Sequence, residues 1–152
     1  MSKIAFVFPG LGSQAVGMGL DLFEESPRAR QIFEEADEAL GFSLSKLCFD
    51  GPEDELRQTI NTQPAVMTAS IACLKTAFGN GNSVQPAFVA GHSLGEYTAL
   101  VAAGVLSFPS GIRLVKERAR LMQEAGSQRP GGMAAIIGLD LISLEEICQE
   151  TG

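Results

Sequence analysis

The sequence is poor in the side chains that bind metal ions or form disulfides. Its 152 residues include one histidine, His92, and three cysteines, Cys48, Cys73 and Cys148. The cysteines form an odd set without a CxxC pair, and no histidine or carboxylate stands near them at metal-ligand spacing. We therefore expect reduced, packed thiols, as in a cytoplasmic protein, and no bound metal.

Positive charge and long apolar runs are also scarce. Eleven Lys and Arg residues stand against 18 Asp and Glu residues, so the formal net charge is −7. This balance offers no basic stripe for a phosphate backbone or an anionic bilayer, which argues against nucleic acid and membrane as partners. The longest apolar runs, such as residues 4–8, are far too short to span a bilayer, and no signal peptide is expected before that run.

The composition that remains is typical of a globular chain. An apolar content of 45% in 152 residues suffices for one substantial core. The sequence contains no internal repeat and no low-complexity tract, so we expect an ordinary folded domain.

Strand and helix patterns alternate along the chain. Residues 3–8, before Pro9 and Gly10, and residues 87–90, before Gly91, are short apolar runs that predict buried strands. Helices are predicted over 27–40, 44–49, 53–60, 64–78, 97–105 and 110–125, followed by a strand over 133–138 and a last helix. Ser143 and Glu146 form the capping box of that helix. The alternation favours an α/β fold with a largely parallel sheet.

The strongest chemical signal is the pentapeptide Gly91-His92-Ser93-Leu94-Gly95. A GxSxG motif between a strand and a buried helix is the context of a nucleophile elbow, whose tight turn requires both glycines. Ser93 would stand at the N-terminus of the next helix, where free N–H groups favour a developing oxyanion. We therefore predict that Ser93 is a nucleophile and that the Leu94 N–H is an oxyanion-hole donor.

A serine nucleophile needs a general base, and the sequence offers no good one. His92 is the single histidine, and on a sharp turn its side chain points away from that of Ser93. Since hydrolase-like triads place the histidine after the serine, we expect the base beyond Gly152, in further chain.

A second loop follows the first strand. Residues 8–14, FPGLGSQ, could bring the Leu11 N–H towards the same sheet edge, where α/β folds bind ligands. The alternative is a dinucleotide fingerprint, because Gly10, Gly12 and Ala15 fit GxGxxA directly after a strand. Pro9 and the lack of an acidic residue after a second strand argue against it.

Arg118 lies on the apolar side of the predicted helix over 110–125. A guanidinium there needs an anionic partner or a route to water. By spacing alone, the simplest partner is a carboxylate such as that of Glu96.

Five segments together resemble the malonyl-CoA:acyl-carrier-protein transacylases. They are FPGLGSQ at 8–14, NTQPA at 61–65, GHSLGEYTAL at 91–100, KERARLMQEA at 116–125 and GGMAAIIG at 131–138. The resemblance implies a hydrolase-like large subdomain with a parallel sheet, interrupted by an inserted ferredoxin-like small subdomain. Residues 1–126 would be the first part of the large subdomain, and residues 127–152 would begin the small one.

The resemblance also implies roles for individual residues. Ser93 matches the acylated serine, and Leu94 and Leu11 match the positions whose N–H groups form the oxyanion hole. Arg118 matches the arginine that pairs with the malonyl carboxylate, while Gln63 and His92 would line the substrate site. The family usually has glutamine where this chain has Leu11, and its catalytic histidine is absent from these 152 residues.

The implied reaction moves a malonyl group from coenzyme A to the phosphopantetheine thiol of acyl carrier protein, in fatty acid biosynthesis, without a cofactor. As an isolated piece the chain should be almost inactive, since the base is missing. The alternatives are a serine hydrolase or thioesterase, the acyltransferase domain of a polyketide synthase, and a catalytically silent carrier-protein docking module.

Overall fold

The computed structural model describes residues 3–78, 84–129, 131 and 136–151. Two strands and eight helices are assigned within these ranges. In chain order they are β1 (Ala5–Phe8), α1 (Leu20–Glu25), α2 (Pro27–Leu40), α3 (Leu44–Asp50), α4 (Glu53–Leu56), α5 (Thr59–Phe78), β2 (Phe88–Gly91), α6 (Leu94–Ala102), α7 (Phe108–Gln128) and α8 (Leu141–Thr151).

The two strands form a parallel pair, as the sequence predicts. Ala5 pairs with Phe88 and Phe8 with Gly91, so both strands end at the same edge of the sheet. The prediction that both strands are buried is wrong in part, because Val7 is 73% and Phe88 60% exposed. Each residue of a strand alternates between two faces, and the packed helices cover only one of them.

The core lies among the helices. Helix α5 packs between α2 and α7, and α6 packs on both strands. The fully buried large side chains here include Phe33, Leu44, Met67, Ile71, Leu94, Ile112 and Val115. Burying one such side chain stabilises the fold by roughly 1.5–3 kcal/mol relative to leaving it exposed. The result is a rigid helical support beneath the sheet edge.

Helix α5 begins earlier than its sequence predicts. The proline at position 64 indicates a helix start, yet the helix runs from Thr59 with Pro64 inside it. The turn before Pro64 is anchored from outside the helix, because the Thr62 hydroxyl donates to the Leu56 carbonyl and the Ile60 N–H donates to the side chain of Gln123. These tertiary bonds override a local preference, and they place Gln63 in the helix.

Four other expectations need correction. Helix α1 has no counterpart in the sequence analysis, and α7 continues to Gln128. The last helix begins at Leu141, and its capping residue is Asp140, whose carboxylate accepts from the N–H and hydroxyl of Ser143. These two bonds hold the pKa of the Asp140 carboxyl below its usual value. Of the strand predicted over 133–138, residues 136–138 form no strand and 133–135 lie outside the described residues.

Candidate active site

The turn from β2 into α6 is a strained elbow with Ser93 at its apex. Ser93 has φ 53° and ψ −107°, and it is the one non-glycine with positive φ in the part of the chain that the structure describes. Such a conformation costs on the order of 1–3 kcal/mol and persists only where its surroundings enforce it. The elbow predicted from GxSxG is thus present.

The two glycines of the elbow are required by close backbone contacts. A Cβ on Gly91 would lie 1.9 Å from the carbonyl carbon of Gly95, and a Cβ on Gly95 would lie 2.3 Å from the carbonyl oxygen of Phe8. Cβ atoms in real proteins essentially never lie within 3.0 Å of another nonbonded heavy atom. The elbow can therefore pack on the end of β1 only when both positions lack a side chain.

The hydroxyl of Ser93 is turned away from its own helix. Serine at the residue before a helix usually accepts from a backbone N–H of the first turn, but Ser93 makes no such bond. Instead its Oγ accepts a 2.8 Å hydrogen bond from Nη2 of Arg118. The N–H groups of Gly95 and Glu96 donate to the carbonyls of His92 and Ser93.

The backbone at Leu94 completes this corner. Its side chain is fully buried, so the helix start is anchored in the core. Among the hydrogen bonds of the described residues, none is donated by the Leu94 N–H. An N–H at a helix N-terminus carries part of the positive end of the helix dipole, and it is available to an anionic oxygen.

Arg118 is half-buried and held by three side chains. One Nη1 N–H donates to Oε1 of Gln63, Nη2 donates to Ser93, and the guanidinium lies 5.5 Å from the ring centroid of Tyr97. Gln63 is 0% exposed, and its Nε2 donates in turn to Sδ of Met122 at 3.3 Å. A connected group therefore surrounds the serine hydroxyl.

None of the partners of Arg118 is anionic. Within residues 3–78, 84–129, 131 and 136–151 the ion pairs do not include Arg118, so the pairing with Glu96 expected from spacing is wrong. Arg120, two residues later on the exposed face, does form ion pairs, with Glu117 at 2.7 Å and Glu124 at 2.8 Å. Its hydrogen bond to Glu117 lowers the pKa of that carboxyl. Among the described residues, the positive charge of Arg118 therefore has no counterion.

The glycine-rich loop after β1 meets the elbow at Gly10. A Cβ there would lie 2.8 Å from the carbonyl oxygen and 2.9 Å from Nδ1 of His92. The imidazole of His92 thus lies against the loop, and no hydrogen bond of the described residues joins it to Ser93. Leu11, next to Gly10, is half-buried at the same edge.

The geometry of this loop excludes the alternative of a dinucleotide-binding fingerprint. That fold needs a helix that opens directly on the glycines, because its N-terminus binds the pyrophosphate. Here the chain after β1 enters no helix until Leu20. Two further observations concern the described residues only: none of their helices is long and apolar enough to cross a bilayer, and no three of their His, Cys, Asp or Glu side chains are grouped to hold a metal ion.

Most residues predicted for the site come together, and two were missed. Ser93, Leu94, Arg118 and Gln63 form one connected group, whereas His92 faces the neighbouring loop. Tyr97 and Met122 were not predicted as site residues. Met122 stands four residues after Arg118 on α7, a spacing that places side chains on one face of a helix, and Tyr97 lies in the first turn of α6, directly after the elbow.

Comparison with known proteins agrees with this geometry. Residues 5–151 match the family described as "Acyl transferase domain". The malonyl CoA-acyl carrier protein transacylase of Bacillus subtilis is 51% identical over 147 residues, which is 97% of this chain and 46% of that protein. The protein of the same name from Escherichia coli K12 is 49% identical over 99% of this chain and 48% of its own length.

Solved structures give the same result. The acyl-carrier-protein S-malonyltransferase of Burkholderia pseudomallei superposes with a TM-score of 0.88 at 51% identity, covering 98% of this chain and 48% of that one. A malonyl-transacylase solved in complex with a type II PKS acyl-carrier protein superposes at 0.86 and 47% identity, over 98% and 48% of the two chains. This chain therefore spans about half the length of the relatives it matches. With its α/β fold, its parallel strand pair and a match that extends over residues 5–151, the chain belongs to the acyl transferase domain family.

Proposed function

We propose that the protein transfers a malonyl group from coenzyme A to the phosphopantetheine thiol of an acyl carrier protein, through an ester on Ser93. The observation that carries the proposal is the Arg118 guanidinium, which touches the Ser93 hydroxyl and lacks a counterion among the described residues. A malonyl thioester brings a carboxylate as well as an acyl carbonyl. Its carboxylate supplies the missing anion, and two parallel N–H···O bonds from a guanidinium select it over acetyl.

The reaction has two balanced steps. Ser93 Oγ attacks the thioester carbonyl, the carbon–sulfur bond breaks, and the serine proton ends on the thiol of coenzyme A. The thiol of the carrier protein then attacks the ester carbonyl, the carbon–Oγ bond breaks, and the thiol proton returns to Ser93. Binding of a carrier protein by a structural relative supports this acceptor; the pathway would be fatty acid or polyketide synthesis.

Charge that develops on the carbonyl oxygen needs hydrogen-bond donors. We assign this role to the backbone N–H groups of Leu94 and Leu11. The free N–H at the start of α6 supports the first assignment, and the contact of the loop with His92 at Gly10 supports the second. Removing one such donor typically costs about 2.7–4 kcal/mol in transition-state stabilisation. Because a backbone N–H serves at position 11, leucine there is compatible with the hole.

Proton transfer requires a base that the described residues do not provide next to Ser93. We propose that a histidine supplies it from the part of such a transferase that corresponds to the unmatched half of the relatives. The 152 residues alone would then bind substrate and turn over poorly. In the same scheme residues 1–126 belong to the hydrolase-like subdomain and residues 127–152 open the ferredoxin-like one.

The test is mass spectrometry of the full-length gene product after incubation with malonyl-CoA or acetyl-CoA. We expect a malonyl ester on the Ser93 peptide that persists in water and leaves when phosphopantetheinylated carrier protein is added. Ser93→Ala should abolish the adduct, and Arg118→Met should lower malonyl loading while sparing acetyl. Ser127→Ala is a matched serine control, since Ser127 is exposed and its hydroxyl donates to the Gln123 carbonyl within its own helix.

The outcomes separate the candidate functions. An ester that water removes would indicate a hydrolase or thioesterase. No ester at all on the full-length protein would leave a silent docking module. Equal loading of malonyl and acetyl groups in the wild type and in Arg118→Met would refute the role assigned to Arg118.

A further inference from the structure

Gln63 cannot act as an ordinary substrate-binding residue. Its side chain is 0% exposed, and both ends of its amide are engaged inside the protein. Oε1 accepts from Arg118, and Nε2 donates to Sδ of Met122 at 3.3 Å. A side chain without accessible surface acts on a substrate only through a neighbour, and the neighbour here is Arg118.

The amide has one workable orientation. A guanidinium has only N–H donors, so it needs the carbonyl oxygen of Gln63 and would repel the NH₂ group. The thioether of Met122 can only accept, so it suits the NH₂ group at the other end. The two neighbours together therefore hold the Gln63 carbonyl towards Arg118. That bond fixes one edge of the guanidinium beside Ser93.

The neutrality of this acceptor matters as much as its position. A carboxylate at position 63 would also accept from Arg118, but it would cancel the positive charge in a site of low dielectric. The amide satisfies one N–H and leaves the charge available. The chain elsewhere provides carboxylates for a neighbouring arginine, as Glu117 and Glu124 do for Arg120, so the neutral partner at Arg118 is a distinct arrangement.

We propose that Gln63 is a positioning residue that sets the selectivity of the site for dicarboxylic acyl groups, because it orients Arg118 without neutralising it. The inference rests on the proposed function and deepens it. It moves Gln63 out of contact with the substrate and makes the residue act through the guanidinium.

Three variants test the inference. Gln63→Glu keeps the length and the hydrogen bond but adds the neutralising charge. Gln63→Met keeps the length, removes the acceptor and leaves Arg118 charged. Thr68→Val is the matched control, since Thr68 is equally buried on α5 and its hydroxyl donates to the Pro64 carbonyl rather than to Arg118.

The readout is the ratio of the Kd values for acetyl-CoA and malonyl-CoA, measured by titration calorimetry on the full-length protein and its variants, all carrying Ser93→Ala so that no acyl transfer takes place. A general loss of packing weakens both ligands and leaves the ratio unchanged. We expect Gln63→Glu to reduce the ratio about tenfold or more, the value of one charge-assisted contact. Gln63→Met should reduce it by a smaller factor, and Thr68→Val should keep the wild-type ratio.

The experiment distinguishes failure of the proposed function from failure of the role assigned to Gln63. A wild-type protein that binds both thioesters equally overturns the proposed substrate class and this inference with it. A wild-type preference for malonyl-CoA that survives in Gln63→Glu overturns the inference alone, and so does a collapse of the ratio in Thr68→Val. If Gln63→Glu does not fold, as judged by circular dichroism, an unchanged ratio in Gln63→Met decides against the role.

Discussion

Replacing Gly95 by alanine separates helix propensity from close packing. Gly95 lies within α6. Replacing an exposed glycine in a helix by alanine usually stabilises the protein by about 1 kcal/mol. The structure predicts the opposite sign here, because the new Cβ would lie 2.3 Å from the Phe8 carbonyl oxygen and 2.9 Å from that of Pro9. Both obstacles are backbone atoms, which cannot rotate away as a side chain would.

The size of the effect follows from the overlap. To restore a contact of about 3.3 Å, the start of α6 and the end of β1 must separate by about 1 Å. Overpacking of this kind costs about 1–3 kcal/mol, and the upper end applies because both surfaces are backbone. After subtraction of about 1 kcal/mol for helix propensity, Gly95→Ala should lower the free energy of unfolding by about 2 kcal/mol.

The assay is urea denaturation followed by circular dichroism, with Gly126→Ala as the matched control. Gly126 also lies in a helix, α7, but a Cβ there meets nothing within 4 Å. We expect that variant to gain about 0.5–1 kcal/mol. If Gly95→Ala were stabilised to the same extent as Gly126→Ala, the contact between the elbow and β1 would be wrong, and with it the argument for GxSxG at this site.

Two further predictions concern groups away from the serine. Burial and a nearby carboxylate raise the pKa of the Cys48 thiol from 9.0 to about 12. Above about pH 9 the unfolded chain loses this proton, whereas the folded state keeps it. The free energy of unfolding is therefore unaffected below about pH 9 and falls as the pH approaches 12. Cys48→Ala should therefore reduce the alkaline loss of unfolding free energy in urea titrations, and an unchanged loss would contradict the shift. Lys116 Nζ donates to the Leu40 carbonyl at the end of α2 and lies 5.1 Å from the Phe42 ring centroid, so Lys116→Met should cost about 1 kcal/mol in the same assay. Exposed Lys46→Met should cost less than about 0.5 kcal/mol, and equal costs would refute the role of Lys116.

The elbow is the part of the site that sequence reasoning predicted in detail. Most of its determinants are local, since the two glycines, the serine and the flanking strand and helix all lie between Phe88 and Ala102. Steric exclusion at Gly91 is local, because a Cβ there would meet the backbone of Gly95 and Glu96, whereas at Gly95 it comes from the backbone of Phe8 and Pro9 at the end of β1. The start of α2 was predicted for the same reason, and Ser26 does accept from the Ala29 N–H there.

Predictions that depended on contacts between residues far apart in the chain were wrong in part. The strands were expected to be buried because their sequences are apolar, yet Val7 and Phe88 lie on a face that the packed helices do not cover. Pro64 predicted a helix start, and contacts from Leu56 and Gln123 moved it to Thr59.

Arg118 shows most clearly what the sequence predicts and what only the tertiary structure decides. Its place on an apolar helix face already indicated a guanidinium that needs a partner. Spacing in the sequence suggested Glu96 as that partner. The actual partners are Gln63, which stands 55 residues away in the chain, and Ser93, 25 residues away. Periodicity and tight turns are properties of consecutive residues, so the sequence by itself determined the elbow and the anomalous arginine. Which side chains meet across α5, α6 and α7 depends on how the helices pack, and only the tertiary structure decided that the arginine meets a neutral amide and the serine hydroxyl.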